Sequence, residues 1–364
     1  MLYVGLYWRA TVAYLWLPFY HLAMQKYPFT RMRRTLIKSG VPVLATLGLA
    51  PSLLYAGNHD SQRAELVRQL VEETGLSKQH IEPIIAQAVF EPLIIKRIKT
   101  PYESRTYAEY RPLFVHPSLA KKGKTYLQKH AAIFEASEKK YGVQKEIIAA
   151  VLGMETRYGV NRGKDAVVSS LYTLATGYPR RATFFRKELG ELLLLCQEER
   201  LNPLQFKGSY AGAFGTTQFI PSSYRAYAVD ADGDGKRNVW TSPEDIINSV
   251  ANYFHKHGWN GSQPLAYWLV DKDVSKALKK QAQQGFKHWQ YLGDMRAKLP
   301  AFPARWHDDA KVTLIEMTTK KGKQIALVDY NFYVITRWNR SYNYAMAVTE
   351  LAALMDCKAC QTHA

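Results

Sequence analysis

Glu155 falls on the apolar side of a helix-patterned run. Ile148, Val151, Leu152 and Glu155 lie at offsets of three, four and seven, the stripe that helix geometry turns inward. A carboxyl held there loses solvation, keeps its proton to higher pH and can donate it to a leaving oxygen. The same position also suits a structural acid tied to Arg157 or to a backbone amide, since ion-pair networks perturb acids in a similar way.

About fifty residues on, the chain reads Gly208-Ser-Tyr-Ala-Gly-Ala-Phe-Gly215-Thr-Thr-Gln218-Phe-Ile-Pro221-Ser-Ser-Tyr224. Glycines at four- and three-residue spacing let the backbone pass close to a ligand. Ser209 and Gln218 add neutral hydrogen-bonding groups beside aromatic rings. That combination suits a sugar, although a Gly-rich turn entering a helix would read the same way.

With Glu155, this segment resembles the soluble lytic murein transglycosylase B family, glycoside hydrolase family 103, which includes enzymes like membrane-bound lytic transglycosylase B. Four further strings match family motifs in order: Tyr178-Pro-Arg180-Arg181-Ala, Asp230-Ala-Asp-Gly-Asp-Gly, Ser249-Val-Ala-Asn-Tyr253-Phe with His257-Gly-Trp259, and Trp338-Asn339-Arg340-Ser-Tyr342. The matched stretch runs from about Tyr110 to Val348.

The resemblance implies a bacterial murein-cleaving enzyme with a lysozyme-like core. It would cut the β-1,4 bond between N-acetylmuramic acid and N-acetylglucosamine. The muramic acid 6-hydroxyl attacks its own anomeric carbon and leaves a 1,6-anhydro end. Ordinary glycosidases place two carboxyl groups across the bond, whereas neither the Gly208–Gln218 nor the Tyr178–Arg181 stretch contains an Asp or Glu. Glu155 is therefore expected to act first as acid and then as base, with proximity replacing a second carboxylate. By the same resemblance Ser209 and Gln218 contact the sugar, and Tyr110, Tyr253 and Asn339 line the cleft. Arg180 and Arg181 meet lactyl or stem-peptide carboxylates, for which a guanidinium offers a planar donor fork. No catalytic cofactor is expected. Two rivals remain open: a hydrolytic muramidase using the same Glu155, and a non-catalytic peptidoglycan-binding protein.

Asp230, Asp232 and Asp234 hold positions one, three and five of an EF-hand-like loop, with Gly235 at six and Lys236 at the backbone-ligand position seven. Position twelve is Thr241, not Glu. The resemblance implies that the missing ligand comes from Glu244 or Asp245, of which Asp245 is preferred. The expectation is a structural Ca2+; a polar Asp/Gly turn is the alternative, with Asp245 facing the following helix N-terminus.

The chain has 364 residues, 47% hydrophobic, with 49 Lys plus Arg against 31 Asp plus Glu, a net charge of +18. That is ample for a globular core and two or three domains. A basic surface suits an anionic polymer such as murein; no nucleic-acid motif accompanies it, so nucleic acid is not an expected partner. Residues 1–56 carry six basic and no acidic residues. Met32-Arg-Arg-Thr-Leu-Ile-Lys38 followed by uncharged Ser39 to Ala56 reads as an export signal or inner-membrane anchor, with translation starting at Met32. With no Cys before Cys196, lipid attachment there is not expected, and the location read from this is the periplasm. Cys196 reads as buried packing, and Cys357 and Cys360 as a candidate small disulfide.

Those residues need mainly helices to position them. The expected class is mainly α (α+β), with helices over Ser61–Thr74, Ser77–Ala88, Gly123–Tyr141, Gln144–Tyr158, Thr183–Glu199, Ser242–His257 and Arg340–Leu354. Val312–Thr318, Gln324–Asp329 and Phe332–Thr336 read as β-branched strands, with a hairpin turn at Lys320–Lys323. The domain reading is 1–56 signal or anchor, 57–122 N-terminal helical region, 123–262 lysozyme-like core carrying the 230–245 loop, 263–333 small β-containing insertion, and 334–364 a C-terminal helix completing the core.

Overall fold

The computed structural model describes residues 50–100, 104–261, 264–270, 274–296, 298–299 and 306–362. Most of the proposed export segment therefore lies outside the described residues. Its last positions, from Ala50, begin α1 (Ala50–Thr74). No helix among the described residues is long and apolar enough to cross a membrane.

The N-terminal half is helical throughout. After α1 come α2 (Lys78–Ala86), α3 (Pro92–Ile98), α4 (Tyr107–Phe114), α5 (Pro117–Lys129), α6 (Ala131–Tyr141) and α7 (Lys145–Thr156). The starts are chemically specified. Ser77 caps α2 by accepting from the His80 amide, and Thr106 with Glu109 forms a reciprocal capping box on α4.

One expected helix, Gly123–Tyr141, is in fact two. His130 leaves helical geometry at φ −118°, ψ 30°, ending α5 and starting α6. Gly123 lies inside α5, not at its start, and a Cβ there would fall 2.5 Å from the Tyr158 hydroxyl and 2.0 Å from Met355 Sδ. Gly153 of α7 faces the same hydroxyl at 2.6 Å. Tyr158 thus wedges between two helices that can approach only where side chains are missing.

A short ribbon pairs β1 (Asp165–Ala166) with β2 (Lys207–Gly208), antiparallel. Between them run α8 (Val167–Gly177) and α9 (Ala182–Glu198), joined by a 3-10 turn at Pro179–Arg181. After the Gly-rich loop come α10 (Pro221–Tyr227) and α11 (Pro243–Lys256). Cys196 is buried as expected, its thiol pKa pushed up to about 12 by burial.

The chain continues with β3 (Ala266–Trp268), α12 (Lys276–Ala282), β4 (Gln290–Tyr291), α13 (Leu292–Arg296), β5 (Lys311–Thr319) and β6 (Gly322–Asp329). The strands form one antiparallel sheet in the order β3-β6-β5-β4. The β5–β6 hairpin closes as the sequence suggests, with Thr319 opposite Gly322 across Lys320 and Lys321. Both faces of this sheet are covered. Val312 and Leu314 of β5, with Ile325 and Leu327 of β6, face a local cluster that includes Trp306 and Met295. Their alternates Ile315, Met317, Ala326 and Val328 join the main core. Two buried faces explain why these strands read as continuous apolar runs.

Phe332–Thr336 is not a strand. It lies within α14 (Tyr330–Trp338), whose N-cap Asp329 accepts from the Phe332 amide. Capping at the last residue of β6 converts a β-branched run into helix, so the polypeptide returns to helix ten residues earlier than Arg340. Helix α15 (Tyr342–Ala353) follows, and a Cys357–Cys360 disulfide closes the turn after it.

Candidate active site

Helix α7 is buried from Ile147 to Thr156, and Glu155 emerges near its end only 6% exposed. The helix stops because Arg157 and Tyr158 adopt left-handed backbone geometry, φ 52° and 63°. The Tyr158 amide then donates to the Leu152 carbonyl and the Arg157 amide to that of Gly153. Such a closure normally takes glycine. Non-glycine residues held there carry backbone strain. The strain sits directly beside the acid.

Glu155 Oε1 accepts from Trp338 Nε1 at 3.0 Å and from the Tyr344 hydroxyl at 2.7 Å. Burial, then the neighbouring Glu155 charge, pushes the Tyr344 pKa well above its ordinary value, so the phenol remains a donor. Neither residue was singled out from sequence. Trp338 lies inside a quoted motif, but nothing local connects Tyr344 to an acid 189 positions away.

The Gly-rich segment folds into a compact loop. Gly208 pairs with Phe214, and Phe214 with Phe219. A Cβ on Gly208 would strike the Ala213 carbonyl oxygen at 2.1 Å, so only glycine permits the closure. Ser209 is fully buried and its Oγ accepts from the Ala211 and Ala213 amides at 3.1 and 2.8 Å. Gln218, at φ 53°, donates through Nε2 to the carbonyls of Arg162 and Gly215. Its buried Oε1 has no hydrogen-bond partner within the described residues. One bond ties the loop to α7: Thr156 Oγ1 donates to the Thr216 carbonyl at 3.0 Å. Thr156 and Thr216 are a second pair that the sequence reading passed over.

The remaining expected residues lie as follows. Tyr253 on α11 donates to the Arg337 carbonyl at 2.6 Å and meets Trp338 edge-on at 4.7 Å between centroids. Asn339 is the buried C-cap of α14. Tyr110 is fully buried on α4, stacked on Phe114, with its phenol near enough to Tyr344 to interact electrostatically. Arg180 is exposed, while Arg181 is half-buried with its guanidinium 4.0 Å from the Phe184 ring. Burial pushes the Arg181 pKa down to about 10, which leaves it charged. Glu155, Tyr253 and Asn339 thus converge through Trp338, and Ser209 and Gln218 through the loop.

The other buried acids among the described residues have other duties. Glu188 accepts from both the amide and hydroxyl of Ser222 at the start of α10. Asp329 caps α14, and Glu350 pairs with Arg111. Asp245 belongs to the acidic loop, where it accepts from the Ala231 and Asn238 amides. Carboxylate oxygens of Asp230, Asp232 and Asp245 lie within 4.8 Å of one another. Asp234 turns one oxygen to the Lys236 amide. An oxygen-only set with a fully buried member fits a hard divalent cation. Of the two acids weighed for the missing ligand, it is Asp245 that joins the group.

The comparisons with known proteins fit this geometry. Residues 58–353 match the model of the transglycosylase SLT domain. Membrane-bound lytic murein transglycosylase B of Escherichia coli K12 is 34% identical over 309 residues, 82% of each chain. Among solved structures, catenated SltB1 of Pseudomonas aeruginosa has a TM-score of 0.73 at 40% identity, covering 81% of this chain and 97% of that one. Calcium-bound Slt35 of Escherichia coli follows at 0.70 and 33%, covering 82% and 94%. SltB3 of Pseudomonas aeruginosa, in complex with NAG-NAM-pentapeptide, gives 0.72 and 29%, covering 82% and 79%. On this evidence the chain belongs to the lytic murein transglycosylases of the SLT-domain family.

Proposed function

We propose that this lytic transglycosylase acts on peptidoglycan with Glu155 as its sole proton-transfer residue. The protonated carboxyl gives its proton to the oxygen joining N-acetylmuramic acid to N-acetylglucosamine, and the bond from that oxygen to the muramic anomeric carbon breaks. The muramic 6-hydroxyl closes on the same carbon, and its proton passes to the Glu155 carboxylate. No water is consumed, and the product ends in a 1,6-anhydro ring.

The single observation that carries this reading is the placement of Glu155, a buried acid that accepts hydrogen bonds from two neutral side chains. Two neutral donors fix Glu155 Oε1, and every other buried carboxylate among the described residues is committed elsewhere. General acid–base catalysis of this kind contributes roughly 10²–10⁴-fold, and the tethered nucleophile supplies a further proximity gain. Tyr344 and Trp338 keep the carboxyl oriented through both half-reactions. Gln218 Oε1, an acceptor without a partner among the described residues, takes a sugar hydroxyl or acetamido N–H. Ser209 acts chiefly by organising the loop, with its hydroxyl proton left for the ligand. Tyr253, Tyr110 and Asn339 shape the cleft, and Arg180 and Arg181 meet carboxylates on the substrate.

The acidic loop holds a structural Ca2+ through Asp230, Asp232, Asp234 and Asp245 and the Lys236 carbonyl; calcium-bound Slt35 supports this. The protein works outside the cytoplasm, in the periplasm, held to the inner membrane through residues 1–56. The disulfide and the membrane-bound Escherichia coli relative support that location.

Mass spectrometry of fragments released from purified sacculi tests the reaction. Anhydromuramic ends are expected; reducing ends would make the enzyme a hydrolase.

A further inference from the structure

A groove of about 700 Å³ opens between α4, the end of β3 and the β5–β6 hairpin tip. It is separate from the Glu155 cleft: α15 turns Tyr344 to Glu155 and, six residues on, Glu350 to the groove floor. Six residues of helix rise roughly 9 Å.

The floor is built rather than incidental. Glu350 is 6% exposed and held from two sides, by the Arg111 guanidinium and by Trp268 Nε1 at 3.2 Å. Tyr107, 2% exposed, packs its ring 6.0 Å from that of Trp268. The rim carries Lys320 and Lys321, both exposed in the hairpin turn. With the Glu350 charge already matched by Arg111, the two lysines leave the groove net positive. His116 also lines it but is occupied as the N-cap of α5. Burial, with Arg157 and Lys122 nearby, lowers its pKa, so it adds no charge at neutral pH.

We propose that this groove binds the acidic peptide stem carried by the glycan strand whose backbone occupies the Glu155 cleft. The volume is in the range of small-ligand sites. Aromatic walls and a cationic rim match a short chain bearing carboxylates. At 3.3–3.6 Å per extended residue, a stem of four or five residues reaches roughly 13–18 Å. That exceeds the axial rise along α15 between Tyr344 and Glu350. The inference rests on the peptidoglycan reading above and assigns the stem a separate binding surface.

Two probes and one double variant test it. Lys320→Ser with Lys321→Ser alters only solvent-facing turn side chains and leaves Glu155 and its donors untouched. Both probes are titrated into full-length protein carrying Glu155→Gln, which keeps the glycan intact. With free stem peptide, quenching of intrinsic tryptophan fluorescence is expected, and the double variant should weaken Kd about three- to tenfold, as two exposed charge pairs allow. With glycan stripped of its peptides, Kd should not change. The proposal is overturned if free peptide does not bind up to millimolar concentration, or if the variant weakens both probes equally. Cleavage of stripped glycan by the wild-type protein tests the chemistry separately, so failure of the groove and failure of the activity give different results.

Discussion

Trp338 and Tyr344, at the end of α14 and the first turn of α15, donate to one and the same oxygen of Glu155. A sharp helix–helix corner, with Asn339 and Ser341 at its apex, brings the two donors together. The Glu155 carboxyl is therefore oriented by the C-terminal part of the chain.

Replacing Glu155 with Gln keeps shape and removes the transferable proton. Muropeptide release should fall by at least about 10³-fold, toward the upper end of general acid–base effects. Affinity for intact glycan should persist, and both are read by mass spectrometry and pull-down on sacculi. Retained release would assign the chemistry to another group.

Tyr344→Phe removes one hydrogen bond to a charged group while keeping the ring. Such bonds contribute about 1.5–3 kcal/mol, so kcat should drop roughly 10- to 100-fold with KM little changed. Near-normal kcat would show that Trp338 alone positions the acid.

How much of this was legible beforehand divides by distance along the chain. Glu155, the Gly208–Gln218 loop and the acidic loop announce themselves locally through residue type and spacing. The His130 break and the Phe332–Thr336 helix did not. His130 carries no Gly or Pro signal, yet it is at once the C-cap of α5 and the N-cap of α6. Val334, Ile335 and Thr336 have strand propensity, yet the Asp329 cap and the Phe332, Ile335 and Trp338 spacing prevail. Trp338 and Tyr344 were invisible as partners because their roles depend on contacts 183 and 189 residues apart.

Glu188 should leave a pH signature in stability. Burial pushes its pKa up from 4.5 to about 7 against the opposing Ser222 bonds. A carboxyl whose folded pKa is raised binds its proton more tightly when folded, so its cost is absent at low pH and grows as pH rises from about 4.5 through 7. The shift corresponds to about 3 kcal/mol. Denaturant titrations at pH 5 and pH 8 should therefore show a decline that Glu188→Gln largely removes. An unchanged slope in the variant would place the titration elsewhere.

Calcium should stabilise without being required for chemistry. At a hundredfold excess over Kd the gain is about 2.7 kcal/mol, or roughly 3–4 °C in Tm for a protein of this size. Asp230→Asn should abolish the shift in a thermal melt. Turnover at a temperature where both proteins are folded should match.

The C-terminal segment has a practical bearing on how this protein is handled. Beyond the disulfide, the Thr362 carbonyl accepts the Trp268 amide and seals the outer edge of β3. An affinity tag appended there would compete with the strand that seats Trp268. Purification handles and reporter fusions therefore belong away from this segment.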